Sequence, residues 1–285
     1  MAAVIAIDVG GTKLAAGLVD DDGRLHARAD TPTPAGTDAD ALFATLIDLI
    51  DELDTAGAVA VGVGCGGPMD LYGRHVSPLN IPAWRAFPLR ARLAARLSLP
   101  VWVDNDAKAL ALGEGWVGAA TDVPDYIAMV VSTGVGGGIV LDGRLLDGAH
   151  GNAGHIGHVI VEPGGRLCAC GAHGCLEAEA SGTAIAAITG KPPADAPLDV
   201  RERTGTLTGR AVASVANLLD LPLAVVSGSV ALGFGEPFFA AAQRELDASC
   251  RLDFSRGTRI VPGALGPDGP LVGAARVAFR KIEPA

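Results

Sequence analysis

Tyr126-Ile-Ala-Met-Val-Val131, Ser132-Thr-Gly-Val-Gly-Gly-Gly138, Ile139-Val-Leu141, Asp142-Gly143, Arg144-Leu145 reads as a buried strand, a glycine turn, a returning strand and an Asp-Gly hairpin. The same order stands at the head of the chain: Val4-Ile-Ala-Ile7, Asp8-Val-Gly-Gly-Thr-Lys13, Leu14 to Val19, Asp22-Gly23, Arg24-Leu25. The two copies begin about 120 residues apart, which predicts two similarly built lobes and not a solenoid. Amides of glycine turns bind phosphate oxygens, so two such turns pointed at a shared cleft would make a nucleotide clamp.

Around these copies the pattern is α/β. Helices are predicted over Ala39 to Leu53 (apolar Leu42, Leu46, Leu49, Ile50 and Leu53 at helical spacing), Pro88 to Leu97, Ala107 to Trp116, Ala178 to Ile188, Gly209 to Leu219 and Pro237 to Cys250. Strands are predicted at Val59 to Val63, Val101 to Val103, Leu223 to Val226 and Arg259 to Val261. Gly190 to Pro197 is a proline-rich connector, and the glycine-rich turn Gly263 to Gly273 leads to a last helix, Ala274 to Arg280.

The 285 residues allow one large or two medium domains. Apolar content of 49% and charged content of 19% describe an ordinary soluble globular chain. A formal charge of −10 opposes binding to nucleic-acid backbones, which takes clustered Lys and Arg. No basic-then-apolar leader follows Met1, and no apolar run reaches membrane-spanning length, so a cytoplasmic protein without membrane attachment is expected.

Three of the five cysteines fall within Cys168-Ala-Cys170-Gly-Ala-His-Gly-Cys175, and His155, His158 and His173 lie in or just ahead of it. His158, Cys168, Cys170 and Cys175 form a candidate tetrahedral Cys3His zinc site, with Gly164-Gly165, Gly171 and Gly174 supplying tight turns. The other reading is a loop of free thiols. A Cys168–Cys170 disulfide is disfavoured by the strain of so short a ring.

Asp8 emerges from an apolar strand beside Gly10, Gly11, Thr12 and Lys13, where a carboxylate can hold a Mg2+ hydration shell while amides and the Thr12 hydroxyl meet phosphate. Thr133, Gly134, Gly136, Gly137 and Gly138 make the second turn, and so many glycines imply close approach to the backbone. Asn105-Asp106 ends a strand and opens a helix. Helix capping and a general base with a neighbouring hydroxyl ligand explain the pair equally well.

The motifs together resemble the ROK family (repressors, open reading frames and kinases) of sugar kinases, a two-lobed actin-like ATPase (RNase H-like) fold. Asp8 to Lys13 resembles its first phosphate motif, Gly66-Gly-Pro-Met-Asp70 its sugar-side loop, and Thr133-Gly-Val-Gly-Gly137 its second phosphate motif. Asn80-Ile-Pro-Ala-Trp84 and Asn105-Asp-Ala107 match further landmarks, and Gly151 to Gly182 resembles the zinc and sugar signature.

The resemblance implies a lobe of residues 1–107, a second of 108–272, and a final helix, 273–285, returning to the first; each lobe would be a mixed sheet flanked by helices, and the second would carry a small zinc-binding loop. It implies ATP with Mg2+ and a structural Zn2+ as cofactors, and a phosphotransferase acting on the 6-hydroxyl of glucose or an amino or N-acyl hexosamine. Mannose, fructose, N-acetylmannosamine and a 3-amino sugar such as kanosamine are the alternatives. Asp106 would be the catalytic base. Gly66, Gly67, Asn80, Asn105, His155, His158 and Glu177 would hold sugar, with His158 shared with zinc, and Gly228 would join the two glycine turns on nucleotide.

A sugar-responsive repressor would carry its DNA-binding domain ahead of Asp8, where only seven residues stand, so that class is not expected, nor is a silent sugar-binding protein. A homodimer is the implied assembly. Three departures stand out. His155 occupies a position where a family carboxylate is usual; imidazole offers one donor and one acceptor and can become cationic, which touches sugar identity and not phosphoryl transfer. The stretch from Ser181 to Ser227 is short, which predicts compressed helices. Lys108, where Asn is common, reads as a solvated helix residue near Asp106.

Overall fold

The computed structural model describes residues 2–282, which fold as two compact units. One takes the chain up to Gly118, the stretch Asp147–Ala153 and the chain from Leu265 onward; the other takes Ala119–Leu146 and Gly154–Ala264.

The first unit is built on strands β1 (Ala3–Val9), β2 (Lys13–Asp20), β3 (Leu25–Pro32), β4 (Ala58–Cys65) and β5 (Val101–Asn105), in the order β3-β2-β1-β4-β5. β1, β2 and β3 pair antiparallel, whereas β4 and β5 join β1 in parallel. Side chains alternate across a strand, and β1 sends Ile5, Ile7 and Val9 to one face and Val4 and Ala6 to the other. On the first face they meet Leu42, Leu46 and Ile50 of α1 (Ala39–Asp51) and Leu93 of α2 (Leu89–Leu97). Asp38 starts α1 by accepting from the Ala41 amide. On the second face, Leu271, Ala274, Ala275, Ala278 and Phe279 of the helix Gly269–Ile282 pack on β1, β2 and β4, and the same helix packs on α3 (Asp106–Val117). Fully buried Trp84 stacks on Phe87 with ring centroids 4.4 Å apart, so truncating Trp84 to Ala would cost about 3–5 kcal/mol.

The second unit repeats the plan. Its sheet comprises β6 (Tyr126–Val131), β7 (Val135–Leu141), β8 (Arg144–Leu145), β9 (Leu223–Ser227) and β10 (Arg259–Pro262), ordered β10-β9-β6-β7-β8. β6, β7 and β8 are antiparallel, and β9 and β10 extend the sheet in parallel. Five helices follow the sequence around it: α4 (Leu176–Ala180), α5 (Gly182–Thr189), α6 (Leu198–Leu219), α7 (Ser229–Phe234) and α8 (Glu236–Ser249). Ile127, Met129 and Val131 form the sheet side of a core that α6 closes with Leu207 and Ala211, and α8 with Phe238, Ala242 and Leu246. Among the described residues, no helix is long and apolar enough to cross a membrane.

Several local expectations change. Gly136, Gly137 and Gly138 are not turn residues: they lie inside β7, paired with Val130, Met129 and Ala128, and the turn itself is only Ser132 to Gly134. The predicted helix Ala178 to Ile188 is two, because Ser181 is extended (φ −70°, ψ 160°) and caps α5 by accepting from the Ala184 amide. α6 starts eleven residues before Gly209, through a polar stretch that its packing on α8 keeps helical. The last helix begins at Gly269, within the predicted turn. β3 and α7 were not foreseen as elements of these lengths.

Candidate functional site

In the first unit the parallel register aligns Asp8 with Gly64, and Gly64 with Asp104, so the ends of β1, β4 and β5 lie side by side. β5 passes directly into α3, which places Asn105 and Asp106 at the same edge as Asp8. A Cβ built on Gly64 would lie 3.5 Å from the Asp106 Cα and 3.8 Å from Asp8 Oδ1, so a glycine separates the two acids. Burial, and then the charge of Asp106, push the Asp8 carboxyl up to about 7, against partial relief from Lys13 and Arg28. Two acids in so confined a place favour either a shared proton or a cation.

Asn105 does cap α3: its Oδ1 accepts from the amides of Ala107 (3.1 Å) and Lys108 (3.3 Å). Asp106 Oδ1 also accepts from the Ala107 amide, at 2.8 Å. Capping takes up Asn105 Oδ1, its one side-chain oxygen, and leaves its Nδ2 amide group as a hydrogen-bond donor beside Asp106. The first glycine turn is closed by the Gly10 amide donating to Lys13 O at 3.0 Å and by the Thr33 hydroxyl donating to Gly10 O at 2.7 Å. Gly11, Thr12 and Lys13 are exposed, and Lys13 reaches Asp30 at 3.7 Å. Asn80 lies directly on Gly11, where any side chain would collide with it. Gly66 and Gly67 sit on the loop after β4, anchored by the Gly66 amide to Val9 O and by Gly67 O to the Leu79 amide.

Lys108 overturns its expectation of a solvated residue. It is buried, and its ammonium reaches Asp104 Oδ1 at 3.0 Å, Asp147 Oδ1 at 2.7 Å and Gly151 O at 3.2 Å. The acids it pairs with are Asp104, one turn before it in sequence, and Asp147. An uncompensated ammonium could not be buried, and these three acceptors match its three protons.

In the second unit the metal candidates converge. The donor atoms of His158, Cys168, Cys170 and Cys175 all lie within 4.8 Å of one another. Cys168 Sγ is 3.6 Å from His158 Nδ1, and Cys170 Sγ is 3.7 Å from Cys175 Sγ. A tetrahedron with zinc–ligand bonds near 2.0–2.3 Å has edges of about 3.6 Å (S to N) and about 3.8 Å (S to S). The residues fit such an ion. Burial, followed by the neighbouring thiols Cys170 and Cys168, pushes the Cys175 thiol up to about 12, a cost that a bound cation reverses. Gly174 holds φ +75°, and a side chain there would run into the Glu162 carbonyl, so the strand-like return to Cys175 needs glycine.

His155 and His158 flank a single 3-10 turn, in which the His158 amide donates to His155 O at 3.0 Å. Their rings stack at 6.2 Å, and the Nδ1 of His158 faces Cys168, in keeping with a division between metal and second ligand. Glu177, on α4 just after Cys175, accepts from the Val135 amide at 2.9 Å. Thr133 and Gly134 form the turn between β6 and β7, and Thr183 donates its hydroxyl to Thr133 O at 3.0 Å. Gly228, with φ +100°, leads from β9 to α7, where the Ser229 and Ser132 hydroxyls lie 2.9 Å apart. Thr183 was not singled out from the sequence, which offers no local signal that it faces this turn; Ser229 stands in the Gly228-Ser-Val230 stretch that resembles the family's nucleotide motif, at a position usually glycine.

Two mixed sheets flanked by helices, each with a glycine turn in its first hairpin, define the actin-like ATPase fold. The chain belongs to the ROK family, whose model matches residues 4–281. An N-acetylmannosamine kinase of Citrobacter koseri is 39% identical over 81% of this chain and 84% of its own length. A glucokinase of Thermotoga maritima is 31% identical over 98% of both chains. A ROK family glucokinase from Streptomyces griseus, solved with glucose and AMPPNP, superposes with a TM-score of 0.86 at 30% identity, covering 98% of this chain and 99% of that one.

Proposed function

We propose that this protein is an ATP-dependent kinase that phosphorylates the 6-hydroxyl of a hexose, either glucose or an amino or N-acyl hexosamine. The observation that carries the reading is the pairing of Asp8 and Asp106 at the ends of β1 and β5, one raised to about 7 and the other at the head of α3. The glucokinase and N-acetylmannosamine kinase relatives support the substrate class.

Asp106 accepts the proton of the sugar hydroxyl as its oxygen bonds to the γ-phosphorus and the bond to the β-phosphate bridge breaks. Asp8 would hold Mg2+, whose charge offsets that of the phosphates when bound. Gly10, Gly11, Thr12 and Lys13, with Thr133, Gly134 and Gly228, serve the nucleotide. Gly66, Gly67, Asn80, Asn105, His155, His158 and Glu177 serve the sugar. His158, Cys168, Cys170 and Cys175 hold a structural zinc, whose four protein ligands leave no position for a reacting water. A cytoplasmic homodimer belongs to the same reading.

The test is a panel of hexoses and hexosamines incubated with Mg-ATP, with polyphosphate as a second donor. Formation of a sugar 6-phosphate with ATP supports the proposal. Absence of phosphorylated product across the panel, with the protein folded and zinc-loaded, overturns it.

A further inference from the structure

The turn Ser132 to Gly134 is framed almost entirely from the segment that follows the cysteine cluster. The Gly182 amide donates to Ser132 O at 2.7 Å, and Thr183 donates its amide and its hydroxyl to Thr133 O at 3.3 and 3.0 Å. Ser229 meets the Ser132 hydroxyl from the other side. The remaining contact is charged: Glu177 Oε2 accepts from the Val135 amide, the first residue of β7, at 2.9 Å. A Cβ on Gly134 would lie 2.9 Å from the same oxygen, so residue 134 is held small by Glu177 itself.

A carboxylate accepting from a main-chain amide is among the stronger hydrogen bonds available, and it fixes the amide's direction. Two residues before Glu177, Cys175 is the N-cap residue preceding α4, and the Leu176 amide is tied to Val159 O at 2.9 Å. The carboxylate is therefore held from behind and aimed at the turn.

We infer that Glu177 is a positioning residue for the nucleotide, setting the second phosphate turn through the Val135 amide in addition to its sugar contact. This rests on the kinase reading and extends it. One carboxylate oxygen fixes the phosphate turn while the other remains the natural acceptor for a sugar hydroxyl, so each substrate meets a turn ordered by the same side chain. Binding of either one then favours the other, by reciprocal linkage.

The experiment measures binding of a non-hydrolysable ATP analogue with Mg2+ by calorimetry in the absence of sugar, on zinc-loaded protein. Glu177→Ala removes the acceptor and is expected to weaken the analogue about tenfold, the equivalent of one good hydrogen bond. Glu177→Gln keeps an acceptor oxygen and is expected to bind the analogue within about twofold of the parent while losing more affinity for sugar. Leu218→Ala, an exposed change on α6 away from the residues assigned to sugar, nucleotide or metal, should leave analogue binding unchanged. If Glu177→Ala folds poorly, Glu177→Met, which keeps the bulk of the side chain and removes the acceptor for the Val135 amide, should weaken the analogue too. Parent-like analogue affinity in Glu177→Ala overturns the inference and leaves Glu177 a sugar ligand alone. Equal losses in Glu177→Ala and Glu177→Gln overturn it as well, because charge and not the acceptor would then matter. If the parent protein binds no analogue, the kinase reading fails along with it.

Discussion

Lys108 Nζ lies 2.7 Å from Asp147 Oδ1, joining helix α3 to a residue 39 positions away in the chain. The same ammonium holds Asp104, which in turn accepts from the Asn105 amide at 2.9 Å and faces Arg280 at 3.4 Å. The junction carrying Asn105 and Asp106 is thus braced by a buried cation. Removing one member of a buried charged pair strands the other, so Lys108→Met should cost about 3–5 kcal/mol in urea unfolding. Asp147 is half exposed and can be solvated when freed, so Asp147→Ala should cost about 1 kcal/mol or less. Equal costs for the two variants would refute this ranking.

Asp8 predicts a pH dependence of stability. Its carboxyl is raised from 3.8 to about 7 by burial and then by Asp106. Below the unfolded value both states hold the proton, and between the two values only the folded state does. The contribution of Asp8 therefore declines as pH rises from about 4 to about 7 and is flat beyond. Asp8→Asn imitates the neutral acid. Relative to the parent without Mg2+, it should gain on the order of 4 kcal/mol across that window. A constant difference between the two melting curves from pH 4 to 8 would count against the shift.

Legibility followed locality. Both Asp-Gly hairpins were readable because Gly supplies positive φ at the turn; Gly23 is at +78° and Gly143 at +69°, while of the two aspartates only Asp142, at +50°, shares that conformation. The metal quartet was readable from three cysteines falling within eight residues, with His158 ten residues ahead of the first, and from its glycines. Lys108 was not, because its burial depends on Asp147 and the Gly151 carbonyl, which the fold brings from about 40 residues away, while its local partner Asp104 gave no sign of burial by itself. The run Gly136 to Gly138 was misplaced because glycine count signals a turn, whereas pairing with β6 decides that these residues are a strand. The beginning of α6 was hidden for a related reason: Thr204, Gly205 and Thr206 are poor helix formers, and tertiary packing overrides them.

The metal site should separate from the catalytic one. Cys170 is exposed while Cys168 and Cys175 are buried, so Cys170→Ser removes a ligand without opening the core. Zinc content should fall from one per chain, and the melting temperature should drop by roughly 5 °C, read by metal analysis and calorimetry on the same sample. Retention of both would show that the four side chains do not act as a metal site.

Asp106 is tested by an isosteric change. Asp106→Asn can preserve the acceptor used by the Ala107 amide, so the start of α3 should persist. Turnover should fall about 10²–10⁴-fold while sugar affinity stays within severalfold of the parent. Near-normal kcat would remove Asp106 from the role of base.

His155 is the point at which substrate choice should be decided. The 3-10 turn fixes its backbone relative to His158, and the rings stack at 6.2 Å, so a substitution changes the chemistry offered more than the place it is offered from. A carboxylate accepts two hydroxyl protons, whereas an imidazole gives one donor and one acceptor. Sugars that differ at a hydroxyl facing this residue should therefore be reordered by His155→Glu, by about tenfold or more in relative kcat/KM for the best and second-best sugars. Nucleotide KM should change far less than sugar KM, because the hydrogen bonds that hold the Ser132–Gly134 turn come from Gly182, Thr183, Ser229 and Glu177. An unchanged ranking of sugars in the variant would assign selectivity to another part of the site, and the loop after β4 carrying Gly66 and Gly67 would be the next to examine.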